Sequence, residues 1–221
     1  MNIGEMNIVI TGAAGGVGSH LFDFFHKNAK GVFGVLHHPN EQMMAQYGNL
    51  FHAVDLLDKS AVARAFQAIS ARMGTIHVLI NTVGGYRSGK LIEETSEEWM
   101  AMYSLNVQTV LNACQVMIPI MRKQGTGHIL NFGAQSAMEG INRAAPYCGA
   151  KMMVHTLSKC IAKEGQGSVR CNVIAPWTMD TPKNRQNFPE ATFSSWTSLD
   201  KITQKVVDTL ESEDNGKLKF I

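Results

Sequence analysis

Strand-length apolar runs alternate with longer amphipathic segments along almost the whole chain. The strand-length runs lie at 6–11, 32–37, 50–56, 76–83, 128–134, 169–176 and 217–221. Several are continuously apolar, which is typical of strands buried on both faces of a sheet. Helical periodicity is found between them, at 19–28, 60–73, 96–121, 147–165 and 199–212. Because strands that alternate with helices form right-handed crossovers, the pattern predicts an α/β fold, a doubly wound parallel sheet of about seven strands with helices on both faces.

The size of the chain favours one domain. A chain of 221 residues with 45% apolar content can bury a full core, and it has no repeat and no linker long enough to separate two domains. We therefore expect a single domain over 1–221. The one long irregular stretch, 178–198, contains Pro182 and Pro189 among polar and aromatic residues. Long loops in compact domains are often functional, so we expect this lid segment (178–198) to cover a substrate.

Charge and cysteine usage restrict the class of ligand. Only 17% of the residues are charged and the formal net charge is +2, which gives no strong field for nucleic acid or an anionic membrane. No apolar run approaches roughly twenty residues, and the N-terminus lacks a basic leader. The four cysteines stand singly and the histidines show no ligand spacing, so we assign no metal. We expect a cytoplasmic protein with a small-molecule substrate.

A glycine-rich turn follows the first predicted strand. It reads TGAAGGVGS, with Gly12, Gly16 and Gly18 spaced G-x-x-x-G-x-G before a helix. Glycine allows a tight turn and lets a pyrophosphate approach the helix N-terminus, where free N–H groups and the helix dipole favour anions. The strand, turn and helix together predict a dinucleotide-binding fold of the Rossmann type.

This glycine spacing resembles that of the short-chain dehydrogenase/reductase family. The segment 81–84, Asn-Thr-Val-Gly, stands where that family has Asn-Asn-Ala-Gly, and Trp177 replaces the glycine of its Pro-Gly site. The resemblance implies that the chain binds NADH or NADPH. The residues that it assigns to the cofactor are Gly12, Ala14, Gly16, Val17, Gly18, Asp55, Leu56, Asn81, Val83, Gly84, Lys151, Pro176 and Thr178.

Tyr147 and Lys151 form the predicted catalytic pair. They are separated by four residues, so their side chains share one face of a helix. A free tyrosine has a pKa of about 10 and is a poor proton donor and acceptor at neutral pH, but a nearby ammonium stabilises its phenolate. We therefore expect Lys151 to lower the pKa of Tyr147. In the family that Tyr147 and Lys151 resemble, the lysine also holds the nicotinamide ribose, and the asparagine at the place of Asn106 supports a proton path to it.

Ala134 stands where the family has a serine that assists carbonyl reduction, thirteen residues before Tyr147, and Ser136 is the nearest hydroxyl. Loss of such a donor costs about 10²–10³ in rate for a ketone and matters less for a conjugated C=N substrate. The motif Gly-Gly-Tyr at 84–86, the run 132–137 and above all 179–199 resemble the dihydropteridine reductase branch, which also carries alanine there. This resemblance implies reduction of a quinonoid dihydropterin. Asn106 follows the general family rather than this branch. The residues expected near the substrate are Tyr86, Ala134, Ser136, Trp177 and Trp196.

Several alternatives stay open. The chain is a pterin-type reductase, a general carbonyl or alcohol oxidoreductase that uses Ser136, or a dinucleotide sensor without catalysis. The second predicted strand ends in His37 and His38 rather than a carboxylate, which permits a 2′-phosphate, so both NADH and NADPH are expected. By resemblance we also expect a homodimer through the helices near 96–122 and 147–164, which carry Met100, Met117, Met121, Met152 and Met153.

Overall fold

The computed structural model describes residues 2–221 as one sheet with helices on both of its faces. The strands are β1 (Asn7–Thr11), β2 (Gly31–Leu36), β3 (Phe51–Ala53), β4 (Val78–Asn81), β5 (Gly127–Phe132), β6 (Val169–Ala175) and β7 (Leu218–Phe220). All neighbouring pairs are parallel, in the order β3-β2-β1-β4-β5-β6-β7. The chain reverses direction across the sheet between β1 and β4, which is where doubly wound folds place their ligands. The predicted fold class is confirmed.

The helices begin and end close to the predicted segments, with three additions. They are α1 (Gly16–Asn28), α2 (Glu41–Tyr47), α3 (Lys59–Met73), α4 (Ser96–Tyr103), α5 (Thr109–Gln124), α6 (Ser136–Glu139), α7 (Ala145–Glu164), α8 (Pro182–Asn187) and α9 (Leu199–Glu211). The short helices α2, α6 and α8 were not predicted, because stretches of four to seven residues carry too little periodicity to detect. Within residues 2–221, none of the helices combines the length and the apolar character needed to cross a bilayer.

The predicted long helix at 96–121 is divided by a π-helical turn. Ser104–Gln108 connects α4 to α5, and the N–H of Thr109 donates to the carbonyl of Ser104. Such turns insert one extra residue into a helix and occur often at functional sites. The lid segment is also more ordered than its sequence indicated, because α8 and a 3₁₀ turn at Phe193–Ser195 lie within it and a β-bridge joins Met179 to Thr197.

The core has two apolar layers, one on each face of the sheet. On one face α1 and α9 cover Ile8, Ile10, Ile80 and Leu130, and on the other α3, α5 and α7 cover residues such as Leu79. The strands therefore bury both faces, which explains why their sequences read as continuous apolar runs. Burial of the two layers fixes where the carboxyl ends of the strands lie.

One row of buried polar side chains crosses the sheet near these carboxyl ends. The hydroxyl of Thr11 donates to Asn81 Oδ1 at 3.0 Å, and Asn81 Nδ2 donates to Asn131 Oδ1 at 2.8 Å. Asn131 Nδ2 donates to the hydroxyl of Ser158 on α7 at 2.8 Å, which donates in turn to the carbonyl of Val154 at 2.7 Å. The row, Thr11, Asn81, Asn131 and Ser158, joins β1, β4 and β5 to α7. Because each member is buried and paired, it fixes their relative register.

Gly18 brings α1 into close contact with the end of β1. A Cβ atom at Gly18 would lie 2.1 Å from the carbonyl oxygen of Gly12 and 2.8 Å from Thr82 Oγ1, whereas a Cβ at Gly4 would meet nothing nearer than 3.6 Å. We predict that Gly18→Ala lowers the free energy of unfolding by at least about 2 kcal/mol, because α1 must move away from β1. Denaturant unfolding measures this, with Gly4→Ala as the control. Equal effects of the two substitutions would contradict the assigned packing.

Candidate active site

A cleft of about 390 Å³ opens at the carboxyl ends of the central strands. We call it the central cleft. Its wall is formed by the glycine turn at 15–18, the segment after β4 (82 and 84–86), the end of β5 and the segment after it (132, 133 and 136), residue 141, two side chains of α7, Trp177, and the lid positions 178, 179, 181, 183, 184, 187 and 188. This arrangement brings the predicted glycine turn, catalytic pair and lid segment into one space.

The glycine turn forms one end of the central cleft. Gly12 has φ +72° and its N–H donates to the carbonyl of Val35 at 2.9 Å, which turns the chain sharply after β1. Gly15 precedes the first turn of α1, and no side chain of the described residues caps that turn. A Cβ at Gly16 would lie 3.1 Å from Thr181. The turn therefore leaves backbone N–H groups available and allows a phosphate to approach the backbone closely. These residues thus fit a dinucleotide.

Lys151 is the buried cation of the site. Its side chain is buried on α7, and Nζ donates to the carbonyl of Phe132 at 2.9 Å. Nζ also lies 3.0 Å from the position that a Cβ would take at Gly84. Burial lowers the pKa of Lys151 to about 8, because the charged ammonium is poorly solvated there. Near neutral pH the side chain therefore loses its proton more easily than an ordinary lysine does.

Tyr147 lines the central cleft one helical turn before Lys151. Its ring meets the ring of Tyr86 edge to face, with centroids 5.2 Å apart. Burial, with smaller contributions from the neighbouring Cys148 and Tyr86, raises the pKa of Tyr147 to about 12. The expectation that Lys151 lowers this pKa is wrong for this structure, because the Nζ hydrogen bond goes to Phe132 rather than to the phenol. At neutral pH Tyr147 is a protonated phenol, the form that donates a proton.

Asn106 lies behind the wall of the cleft rather than in it. It stands in the π-helical turn, fully buried. Its Oδ1 accepts from the N–H of Gly85 at 3.1 Å, and its Nδ2 donates to the carbonyls of Gly85 and Met102, each at 3.1 Å. The side chain thus holds the segment after β4 against Lys151. The expected part of Asn106 in a proton path stays a prediction.

The two candidate positions after β5 differ in what they face. Ala134 is buried in a small apolar cluster with Ala137, Ala144 and Cys148, and it does not line the central cleft. Ser136 begins α6 and does line it. The hydroxyl available to a ligand on this side is therefore that of Ser136.

Among the residues predicted at the cofactor or substrate, Asn81, Pro176 and Trp196 also do not line the central cleft. Asn81 is 1% exposed and belongs to the polar row inside the sheet, where its amide is already paired. Pro176 is buried and its carbonyl accepts from the N–H of Gln135 at 3.1 Å. Trp196 packs on Phe193 and Phe188, with ring centroids 4.9 and 6.5 Å apart, so Phe188 lies between it and the cleft. Trp177 does line the cleft.

The residues predicted at the cofactor near the ends of β2 and β3 form a group apart from the central cleft. His37 Nδ1 lies 4.0 Å from Asp55 Oδ1, and the rings of His37 and His38 are 4.1 Å apart. Leu56 is buried and its carbonyl accepts from Asn112 Nδ2 at 2.8 Å. Ala14 is exposed beside the glycine turn. At the end of β2 this group presents imidazoles, and its one carboxylate is close to His37.

The central cleft also contains lid residues that the sequence analysis did not assign. Thr181 is 7% exposed, caps α8 by accepting from the N–H of Asn184 at 3.2 Å, and faces Gly16. The threonine-proline pair at 181–182 is a helix-start signal that could have located it. Lys183 and Phe188 were not assigned either, and their sequence gives no comparable signal. Among the described residues the cleft wall holds two lysines, 151 and 183, and no carboxylate, so it favours an anionic ligand.

Comparison with known proteins shows what this chain is similar to. The family model for short chain dehydrogenases matches residues 6–192. An uncharacterized oxidoreductase of Staphylococcus epidermidis is 26% identical over 185 residues, which is 80% of each chain. The structure of ElxO with NADP bound has a TM-score of 0.87 at 20% identity, over 98% of this chain and 97% of that one. Thermoplasma acidophilum aldohexose dehydrogenase has a TM-score of 0.86 at 20% identity, over 99% and 93%. At these identities the two structures show a common fold.

The buried lysine makes stability depend on pH. Its pKa is about 8 when folded and 10.5 as an ordinary lysine, so the unfolded chain binds more protons between these values and stability rises with pH across that window. We predict that wild type gains about 3 kcal/mol relative to Lys151→Met between pH 7 and pH 10. Urea unfolding of both proteins at each pH measures the difference, in which other titrations cancel. A difference that does not change with pH would show that the ammonium is solvated.

Proposed function

The chain belongs to the short chain dehydrogenase family, and on this premise we propose that it is an NAD(P)H-dependent reductase in which Tyr147 donates the proton. The proposal depends mainly on one observation: the protonated phenol of Tyr147 and the buried Lys151 share one cleft with an uncapped glycine turn. Burying a lysine is costly, and a dinucleotide sensor without catalysis has no need of this buried pair. The pair therefore favours catalysis over sensing.

The residues around the cleft divide between two ends of a dinucleotide. The first-turn N–H groups at Gly16, Val17 and Gly18 would hold the pyrophosphate, with Thr181 opposite. Gly12 and Ala14 would complete that turn. Asp55 and Leu56 would lie at the adenine, and Val83, Gly84, Lys151 and Thr178 at the nicotinamide end. When bound, the reduced nicotinamide supplies a hydride. The structure of ElxO carries NADP on the same fold, which agrees with this arrangement.

Tyr147 and Lys151 then have distinct tasks. The phenol is protonated at neutral pH, so it can transfer its proton to the substrate atom on which negative charge develops. Lys151 Nζ donates to the carbonyl of Phe132 rather than to this phenol, so we assign the lysine to the nicotinamide ribose, as the family resemblance implies. Desolvation strengthens these charge interactions within the cleft.

Two substrate classes agree with different features of the wall. Tyr86, Phe188 and Trp177 give the cleft aromatic surfaces, and Ala134 offers no hydroxyl, which favours a flat conjugated ring such as a quinonoid dihydropterin. The hydroxyl of Ser136 in the wall instead favours a carbonyl compound, since it can donate to the developing oxyanion. The lid segment, with α8, would close over either substrate.

A homodimer is part of the proposal. Exposed apolar side chains lie on α4 and α7, at Met100, Met152, Met153 and Trp99. Met117 and Met121 are fully buried in the core and do not belong to this surface. The family resemblance favours pairing through these helices across a two-fold axis.

Single substitutions test whether the chain is a reductase and distinguish the two substrate classes. We predict that Tyr147→Phe lowers kcat by about 10²–10⁴, because the proton donor is removed while the ring packing stays. NAD(P)H oxidation should be measured with quinonoid dihydropterin and with a panel of ketones and aldehydes. Ser136→Ala is the matched second variant. If it costs about 10²-fold or more on a carbonyl compound, that substrate class is supported, and if it has little effect the pterin class is supported. Full activity of Tyr147→Phe would contradict the proposed function.

The end of β2 determines which nicotinamide is preferred. We propose that NADPH binds at least as well as NADH, because His37 can donate to a 2′-phosphate. We predict that His37→Ala raises the Kd of NADPH about two- to fivefold, as expected for an exposed polar contact, and leaves that of NADH unchanged. Quenching of protein fluorescence measures both constants. Equal effects on the two cofactors would contradict the contact.

A further inference from the structure

We propose that His155 is a positioning residue, which fixes the turn after β5 by accepting a hydrogen bond from the backbone of Ala134. His155 lies on α7, four residues after Lys151 and eight after Tyr147, so the three side chains share one helix face. Its Nε2 lies 3.2 Å from the N–H of Ala134. The proposal rests on the proposed function, because the turn it fixes carries the wall of the same cleft.

Two side chains of α7 hold the turn, one at Phe132 and the other at Ala134. Lys151 donates to the carbonyl of Phe132, and His155 accepts from the N–H of Ala134. Gly133 lies between them. A Cβ there would lie 2.2 Å from His155 Nε2 and 2.6 Å from Val173, so the imidazole occupies the space that a side chain would need. Phe132 and Gly133 both line the central cleft, so the position of this backbone shapes the wall.

The state of the imidazole follows from its surroundings. To accept from Ala134, Nε2 must be unprotonated, and the ring proton then lies on Nδ1. Nδ1 is buried and has no hydrogen-bond partner among the described residues. Burial, with Lys151 and Lys159, lowers the pKa of His155 to about 4, so the ring stays neutral at neutral pH.

The unpaired Nδ1 allows a role of His155 in the site to be distinguished from a role in stability alone. A leucine at 155 would fill similar space without a buried unpaired donor, so a purely structural position would tolerate it. The histidine offers what leucine lacks, the acceptor for Ala134. Its benefit is therefore expected in the geometry of the turn that leads to Ser136.

The test compares His155→Leu with His155→Gln, whose side-chain oxygen can still accept from the amide. We expect the leucine variant to lose on the order of tenfold in kcat, because the wall is displaced, with Kd for NADPH changed less than about twofold. The glutamine variant should recover most of that loss. Hydrogen exchange provides a second readout that needs no substrate: the amide of Ala134 should exchange faster in the leucine variant and stay protected in the glutamine variant.

Gly133→Ala is an independent check, because the added methyl must displace the imidazole and should reproduce the leucine phenotype. The proposal is overturned if His155→Leu keeps wild-type kcat, if its Ala134 amide exchanges as in wild type, or if glutamine restores neither quantity. Should the leucine variant fail to fold, the same readouts on Gly133→Ala and the glutamine variant decide. Failure of the proposed function is recognised separately, by a fully active Tyr147→Phe.

Discussion

The hydrogen-bonded row of Thr11, Asn81, Asn131 and Ser158 determines how the site is assembled. Three of its members lie in register on adjacent strands, and the fourth lies on α7. A one-residue slip of any strand would leave buried amides without partners, which costs far more than an apolar mismatch. The row therefore aligns the ends of β1, β4 and β5, from which the glycine turn and the two other segments of the wall begin, and it holds α7 beside them.

Burial then determines the chemistry of the pair that α7 carries. The same loss of solvent raises the pKa of Tyr147 and lowers the pKa of Lys151, so both neutral forms are favoured. As ordinary side chains the two groups have nearly equal pKa values of 10.0 and 10.5, whereas in the fold the values are about 12 and about 8. The gap therefore widens, and the lysine becomes the easier group to deprotonate. Hydrogen bonding of Lys151 to Phe132 keeps the lysine in this environment even though its charge is disfavoured there.

Sequence patterns predicted those features that depend on local spacing. The alternation of strands and helices, the glycine turn, and the shared helix face of Tyr147 and Lys151 all follow from fixed periodicities, and the structure has each of them. Properties that depend on packing were not predictable. The direction of the Tyr147 pKa shift needs the depth of burial, and the shielding of Trp196 by Phe188 needs the path of the lid segment. Asn81 was assigned to the cofactor because a motif identifies a position but not the direction of its side chain.

The alanine at 134 is explained by its surroundings. Its methyl group packs with Ala137, Ala144 and Cys148, and Ile141 and Tyr147 pack against this cluster. The methyl group fills apolar space there, and the backbone N–H of Ala134 is already used by His155. The polar group on this side of the cleft is instead Ser136, at the start of α6. In the proposed reaction, charge that develops on a substrate would be met by the phenol of Tyr147, and for a carbonyl compound by the hydroxyl of Ser136 as well, because both side chains line the same cleft.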